Sequence, residues 1–206
     1  MADIREYNTE HYEQSEIINI IYPANGMIKD SLIDMIKGIS ALPEDVLGKI
    51  IVHFTGVRHD FFQKNNLMHE YLKIQNAIVV HDWLEYDELI DLYRHMDFIL
   101  LARETNQMTR ANFPSKIPEA MTYGVVPIVS KVGDYTSFYL TDMIDSIIFD
   151  GSYAQACSGA LKKAASLSLQ MRKRMSVQAQ KTVETRFDYR VWAGRIRSFF
   201  CKEGIL

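Results

Sequence analysis

Six short apolar runs, each of four to six residues, most constrain what this chain of 206 residues can fold into. They are rich in Ile, Val and Phe and show little polar alternation, a pattern typical of strands buried on both faces of a parallel sheet. Longer segments with apolar residues at helical spacing separate them. We therefore predict strands at Ile17–Tyr22, Ile50–Thr55, Ala77–His81, Phe98–Leu101, Val125–Ser130 and Ser146–Phe149.

The alternation of strand and helix predicts an α/β fold, a Rossmann-like three-layer arrangement with helices on both faces of a parallel sheet of about six strands. One helix is expected from an N-cap at Ser115 to a terminator at Gly124. No strand pattern follows Phe149. Three successive helices are appended there instead, at residues 152–166, 169–186 and 188–201.

The composition is that of an ordinary globular protein, with 48% hydrophobic and 24% charged residues. The two cysteines, Cys157 and Cys201, are too few for a disulfide scaffold, which suits a reducing cytoplasm. The apolar run at Ile17–Tyr22 is too short for a signal peptide or a membrane span. The net charge of −3 argues against general nucleic-acid binding. We expect a cytoplasmic protein.

The charge is uneven along the chain. Between Lys162 and Arg197 there are ten basic and two acidic residues, so this segment carries +8 and the remainder −11. A basic stretch on helices is usually a solvated face. The alternative is attraction to phosphate, either in a ligand or on a membrane, which keeps open a peripheral contact with the inner membrane face.

Ligands of doubly wound sheets bind outside the carboxyl ends of the strands. The loops that follow the predicted strands are Pro23–Lys29, Gly56–Asp60, Asp82–Asp87, Arg103–Glu119 and Lys131–Phe138. The fourth loop carries the strongest pattern. Free amides at the helix start near Ser115, together with Lys116, suit an anion such as phosphate. Glu119, one turn further, suits sugar hydroxyls. The spacing alone fits a second interpretation equally well, in which Lys116 is solvated and Glu119 only complements the helix dipole.

The stretch from Arg103 to Ser130 resembles the donor-site signature of retaining group 1 glycosyltransferases (family 4, GT-B fold). Their signature reads Pro-x-x-x-Glu-Ala-Met-Ala-x-Gly-x-Pro-Val-Val. Three further segments resemble the family: Asp82 to Leu101, the turn Val132-Gly133-Asp134, and Phe187 to Trp192. The signature positions that match in register are Glu119-Ala120-Met121, Gly124, Pro127 and Ile128 to Ser130.

The resemblance implies that residues 16–206 are the nucleotide-sugar-binding C-terminal domain of a two-domain enzyme. The acceptor-binding N-terminal domain is absent from this chain, and residues 1–15 are an arm or interdomain connection. The implied reaction transfers a sugar from a nucleotide diphosphate sugar to a glycan or lipid-linked acceptor with retention. No metal and no cofactor are expected.

The same resemblance implies a set of donor-binding residues. Lys29 and Lys116 would contact the diphosphate, and Glu119 the ribose or sugar hydroxyls. Apart from the resemblance, Trp83 and Tyr86 lie in a loop after a strand, where they suit stacking on a nucleobase, although a tryptophan in a loop is as often a packed anchor. No catalytic residue is assigned. The main candidates are Lys29, Glu104, Asn112, Phe113, Ser115, Lys116 and Glu119, and the weaker ones are Arg58, Trp83, Arg103 and Gly133.

Three positions depart from the family pattern, because charged family residues are replaced by Ala24, Ala111 and Ser137. These departures favour an alternative, a non-catalytic binding or partner subunit of the same fold. A remote alternative is a flavodoxin-like signalling domain. That class expects an acidic cluster after the first strand, where this chain has Pro23-Ala24-Asn25-Gly26.

Overall fold

A computed structural model describes residues 15–23 and 29–202. Six parallel strands form a single sheet in the order β3-β2-β1-β4-β5-β6. Every strand falls on a predicted apolar run, so the predicted fold class is confirmed. The strands are β1 (Ile18–Pro23), β2 (Ile50–Thr55), β3 (Ile78–Val80), β4 (Phe98–Leu101), β5 (Val126–Ser130) and β6 (Ile147–Phe149).

Helices connect the strands and cover the sheet. After β6 the described chain is helical, as predicted. The predicted helix 169–186 is α-helical as far as Thr182 and ends in a π-helical turn at Val183–Phe187. A second π-helical turn occupies Tyr135–Tyr139. The helices are α1 (Leu32–Ser40), α2 (Glu44–Leu47), α3 (Asp60–Lys64), α4 (Met68–Ile74), α5 (Tyr86–Arg94), α6 (Gln107–Ala111), α7 (Lys116–Thr122), α8 (Ala154–Ala165), α9 (Leu169–Thr182) and α10 (Tyr189–Lys202).

The strand order places the functional edge of the sheet. It is the doubly wound order in which the winding reverses between β1 and β4, and such sheets bind ligands in the crevice at that reversal. Flavodoxin-like domains have a different order, 2-1-3-4-5. The remote alternative of a flavodoxin-like domain is therefore wrong.

Helices α1 and α8 approach closely because Gly38 has no side chain. A Cβ at this position would lie 2.7 Å from the carbonyl oxygen of Ala154 and 2.8 Å from Cβ of Cys157. The thiol of Cys157 is fully buried in this contact, and burial raises its pKa to about 12. Cys157 is therefore a packing residue rather than a reactive thiol.

A buried ion pair ties α9 to the amino-terminal ends of the central strands. Oδ1 of Asp97 accepts a 2.9 Å hydrogen bond from Arg172, and Oδ2 accepts a 2.8 Å bond from the Asn19 amide. Both charged side chains are only 3% exposed. Arg172 also donates to the carbonyl oxygen of Ser15 at 2.7 Å, which anchors the last residue of the predicted arm. Residues 1–14 of that arm lie outside the described residues.

Two histidines pair on neighbouring strands. Nδ1 of His53 on β2 lies 3.0 Å from Nε2 of His81, which follows β3, and the two rings stack. Burial, together with the nearby His81, lowers the pKa of His53 to about 4, and burial lowers the pKa of His81 as well. The fold therefore favours the neutral form of both rings.

This pair predicts a loss of stability in mild acid. The unfolded chain takes up a proton near pH 6.5, whereas folded His53 takes one up only near pH 4. Stability contributed by the neutral ring is thus complete above pH 6.5 and is lost as the pH falls toward 4. We expect the free energy of unfolding, measured by urea denaturation, to fall by about 1–2 kcal/mol between pH 7 and pH 5. His53→Leu should flatten this slope, whereas His69→Gln, at an exposed position, should leave it unchanged.

Candidate functional site

A cleft of about 890 Å³ opens at the carboxyl ends of the strands. Four of the five predicted loops line it, namely those after β1, β2, β3 and β4, and the loop after β5 does not. The cleft brings together seven of the eleven predicted residues. They are Lys29, Trp83, Arg103, Asn112, Phe113, Ser115 and Lys116.

A polar network organises the floor of the cleft around Arg103. Its Nε donates to Asp30 at 2.8 Å and its Nη1 donates to Oδ1 of Asn112 at 2.9 Å. The hydroxyl of Tyr22 donates to the other oxygen of Asp30 at 3.2 Å. The Ser130 hydroxyl fixes the backbone of Arg103, since it accepts from its amide and donates to its carbonyl. Arg103 is thus a preorganised guanidinium that already has a counterion.

Lys116 supplies a second cation beside Arg103. Its Nζ donates to the carbonyl oxygen of Pro23 at 2.6 Å, which holds the ammonium where β1 ends. The side chain is half-buried, and burial lowers its pKa while the nearby Asp30 opposes this effect. A partly desolvated ammonium attracts an anion more strongly than a fully hydrated one.

The start of α7 differs in detail from the prediction. Ser115 does precede the helix, but its own backbone is helical (φ −55°, ψ −29°) and its side chain caps no amide, so a side-chain N-cap was wrong. The amide of Ile117 is also occupied, because it donates to Pro114 at 3.0 Å. The helix start therefore offers fewer amides to an anion than we expected. The predicted end is confirmed, since Gly124 adopts a φ of +78° there.

Glu119 lies beside the cleft rather than in its lining. Its Oε1 accepts a 3.2 Å hydrogen bond from the hydroxyl of Tyr86, which does line the cleft. Burial raises the pKa of Glu119, while the Tyr86 hydrogen bond and Lys116 lower it. At the same rim, Trp83 is 76% exposed and presents its ring to solvent.

The other three predicted residues lie outside the cleft. Glu104 lines a smaller neighbouring pocket of about 280 Å³, which it shares with Lys29. Arg58 is 81% exposed and pairs with Asp60 at 3.8 Å. Gly133 has a φ of +64°, and a Cβ there would lie 3.1 Å from a carbonyl oxygen of α6, which explains a glycine at this turn. Donor binding by all eleven residues stays a prediction.

Sequence reasoning missed the contribution of Asp30 and Tyr22. Nothing in the local pattern marks Asp30 as the partner of Arg103, because 73 residues separate them. Among residues 15–23 and 29–202, no three His, Cys, Asp or Glu side chains gather as a metal-ligand set. Ala24 lies outside the described residues.

The class of protein follows from comparison with known sequences and structures. The chain matches the family described as glycosyl transferases group 1 over residues 10–182, and it belongs to that family. No match is found among curated proteins.

Solved structures identify the part of the enzyme to which this fold corresponds. The C-terminal domain of the group 1 glycosyl transferase LpcC from Francisella tularensis superimposes with a TM-score of 0.72 at 14% identity, covering 91% of this chain and 98% of that one. A glycosyltransferase from Rickettsia africae gives 0.71 at 18% identity, with 92% and 48% covered. HepE from Anabaena, solved with UDP and glucose, gives 0.69 at 14% identity, with 90% and 48% covered.

The chain thus spans about half the length of the two larger proteins and has the fold of a C-terminal domain. Within the described part of the chain, no helix is both long and apolar enough to cross a bilayer.

Proposed function

We propose that this chain is the donor-binding half of a retaining glycosyltransferase, in which residues 16–206 form the domain and residues 1–15 connect it to an acceptor-binding half. The observation that carries the proposal is the ammonium group of Lys116, which the Pro23 carbonyl holds in the cleft at the strand reversal of a group 1 fold. HepE has been solved with UDP and glucose, which supports a nucleotide diphosphate sugar as the donor here.

In this proposal the site acts on the leaving group. Transfer breaks the bond between the anomeric carbon and the diphosphate, so negative charge develops on the diphosphate oxygens. Lys116 and Lys29 would stabilise that charge, and the fixed orientation of Lys116 means little reorganisation is needed during the reaction. Glu119 would accept hydrogen bonds from hydroxyl groups of the donor. The other half would place the acceptor, which is a glycan or a lipid-linked sugar. The reaction would need no metal, and it would take place in the cytoplasm, at the inner face of a membrane.

A second candidate is a non-catalytic subunit that binds the nucleotide without transferring sugar. One observation favours it, namely that Asp30 already neutralises Arg103 and leaves less positive charge for a diphosphate. In addition, Ala111 has no carboxylate, and the Ser137 hydroxyl donates to its own turn, at 3.4 Å from the Gly133 carbonyl oxygen. Both candidates share the prediction that nucleotides bind in the cleft.

We expect the chain to bind nucleoside diphosphates more tightly than monophosphates, because the cations of the cleft favour the extra phosphate charge. Isothermal titration with UDP, GDP, UMP and GMP measures this directly. A diphosphate should gain roughly tenfold or more in affinity, the usual effect of one charge-assisted hydrogen bond.

Two results would contradict the proposal. Equal affinity for the two phosphate states removes diphosphate recognition, and absence of binding by all four nucleotides removes the donor site altogether. Catalysis is then decided by joining the chain to an acceptor-binding half, since only the first candidate predicts sugar transfer in the reconstituted protein.

A further inference from the structure

The hydrogen bond between Tyr86 and Glu119 links the rim of the cleft to α7. The donor is the hydroxyl of Tyr86, whose side chain lines the cleft. The acceptor is Oε1 of Glu119, which lies beside the cleft. We propose that Tyr86 is a positioning residue that holds the Glu119 carboxylate in the orientation in which it accepts the ribose hydroxyls of the donor nucleotide. This inference rests on the proposed function of the cleft.

Tyr86 is held in a fixed place by its own helix. It is the first residue of α5, whose start is closed by a capping box between Glu85 and Glu88. The Glu85 amide donates to Oε2 of Glu88 at 2.8 Å. One and two turns further along, Ile90 and Tyr93 bury this helix against the core. The Tyr86 side chain is 51% exposed, but its backbone belongs to a capped helix, so its hydroxyl reaches Glu119 from a helix rather than from a loop.

Glu119 needs such a partner because it is half-buried. The charged or titratable groups around it are Tyr86 and Tyr93 from α5 and Lys116 from the preceding turn of α7. Burial raises the pKa of the carboxyl, and the hydrogen bond from Tyr86 is the larger of the two effects that lower it. A carboxylate that is both ionised and oriented forms the strongest hydrogen bonds with hydroxyl donors.

The position of Glu119 favours the ribose over the transferred sugar. A nucleotide carries its ribose between the base and the diphosphate. Glu119 lies one helical turn from Lys116, the cation near the end of β1, and its bonded partner Tyr86 lies three residues after the exposed Trp83. With the base stacked on Trp83 and the diphosphate bound at Lys116, the ribose between them lies beside Glu119.

The test compares ribose with deoxyribose. Isothermal titration with UDP and 2′-deoxy-UDP, or with GDP and 2′-deoxy-GDP if those bind better, gives the affinity ratio for the unmodified chain. We expect a ratio of roughly tenfold, which Tyr86→Phe lowers to about threefold or less. Since the phenyl ring is kept, stacking and packing remain. Tyr153→Phe, at an exposed tyrosine beside α8, is the matched control and should keep the full ratio.

Two further measurements separate positioning from a structural role. Without the Tyr86 hydroxyl, the effect of burial is opposed less and the pKa of Glu119 rises further. When the pH is lowered from 8 to 5, the affinity ratio of Tyr86→Phe should therefore be lost at a higher pH than the ratio of the unmodified chain. In addition, Glu119→Ala should abolish the ratio, and adding Tyr86→Phe to it should change the ratio no further.

The outcomes distinguish this inference from the function on which it rests. If the unmodified chain binds none of the nucleotides, the donor site itself is wrong. If it binds them but Tyr86→Phe keeps the full ratio, or if ribose and deoxyribose bind equally well, the positioning role is overturned and the donor site stands. A loss of affinity that is equal for both sugars would likewise overturn the positioning role.

Discussion

Arg172→Leu is expected to destabilise the protein by about 3–5 kcal/mol, because it removes the guanidinium that pairs with the buried Asp97 carboxylate. Asp97 directly precedes the central strand β4, and its side chain is only 3% exposed, so little water reaches it. Urea denaturation should show the loss as a lower midpoint with little change in slope. Thermal unfolding should move down by roughly 10 °C or more for a chain of this size.

Two variants test the physical cause of that loss. Asp97→Asn combined with Arg172→Leu removes both charges and keeps an oxygen for the Asn19 amide, so it should be more stable than Arg172→Leu alone. Lys163→Leu breaks a half-exposed ion pair with Asp142 and should cost only about 0–1 kcal/mol. A loss below 1 kcal/mol in Arg172→Leu would show that the buried pair contributes no more than a surface pair.

Lys116→Ala is expected to weaken binding of a nucleoside diphosphate by about 1.5–3 kcal/mol, or roughly ten- to a hundredfold, because it deletes a charge-assisted contact made by a half-buried lysine. The lysine's present bond, to the Pro23 carbonyl, is one that a phosphate can join without displacing the side chain. Monophosphate binding should fall by less. Isothermal titration of the two nucleotides measures both effects.

The matched control for this variant is Lys37→Ala, at an exposed position of α1. It removes the same charge from the chain and should leave both affinities unchanged. If both variants weaken binding equally, the effect comes from net charge and Lys116 has no specific contact. If Lys116→Ala binds as tightly as the unmodified chain, the lysine is only a packing residue that ties α7 to β1.

The fold was predictable because each strand is predominantly apolar, which follows from burial on both faces in the central strands β4 and β5; the edge strand β3 is equally apolar although Val79 is 39% exposed. A run such as Phe98–Leu101 must be apolar throughout, whatever its neighbours are, and all six strands were found from such runs. The contacts within the site have no such local signal. Arg103 and Asp30 are 73 residues apart, and Tyr86 and Glu119 are 33 apart. Only the sheet order brings these side chains together.

The loops were likewise predictable in their position but not in their contacts. Their place at the strand ends was predictable, and four of the five line one cleft. The side chains that turn into that cleft were harder to predict, because Glu104 and Lys116 look equally polar in the sequence. Free amides were expected at the helix start near Ser115, but the amide of Ile117 there donates to the Pro114 carbonyl oxygen. Such local bonds depend on backbone angles that residue type leaves open.

The strand order also bears on the sequence of events during folding. Strands β1 to β3 come from the first part of the chain and β4 to β6 from the second, and the two sets meet only where β1 pairs with β4. That seam joins residues 78 apart, such as Asn19 and Asp97, so its closure has the largest loop entropy of the central pairings. The cleft lies across the seam, with Pro23 on one side and Lys116 on the other. A nascent chain therefore has no cleft until α7 has been synthesised and both sets have docked, and a ligand can stabilise only the finished domain.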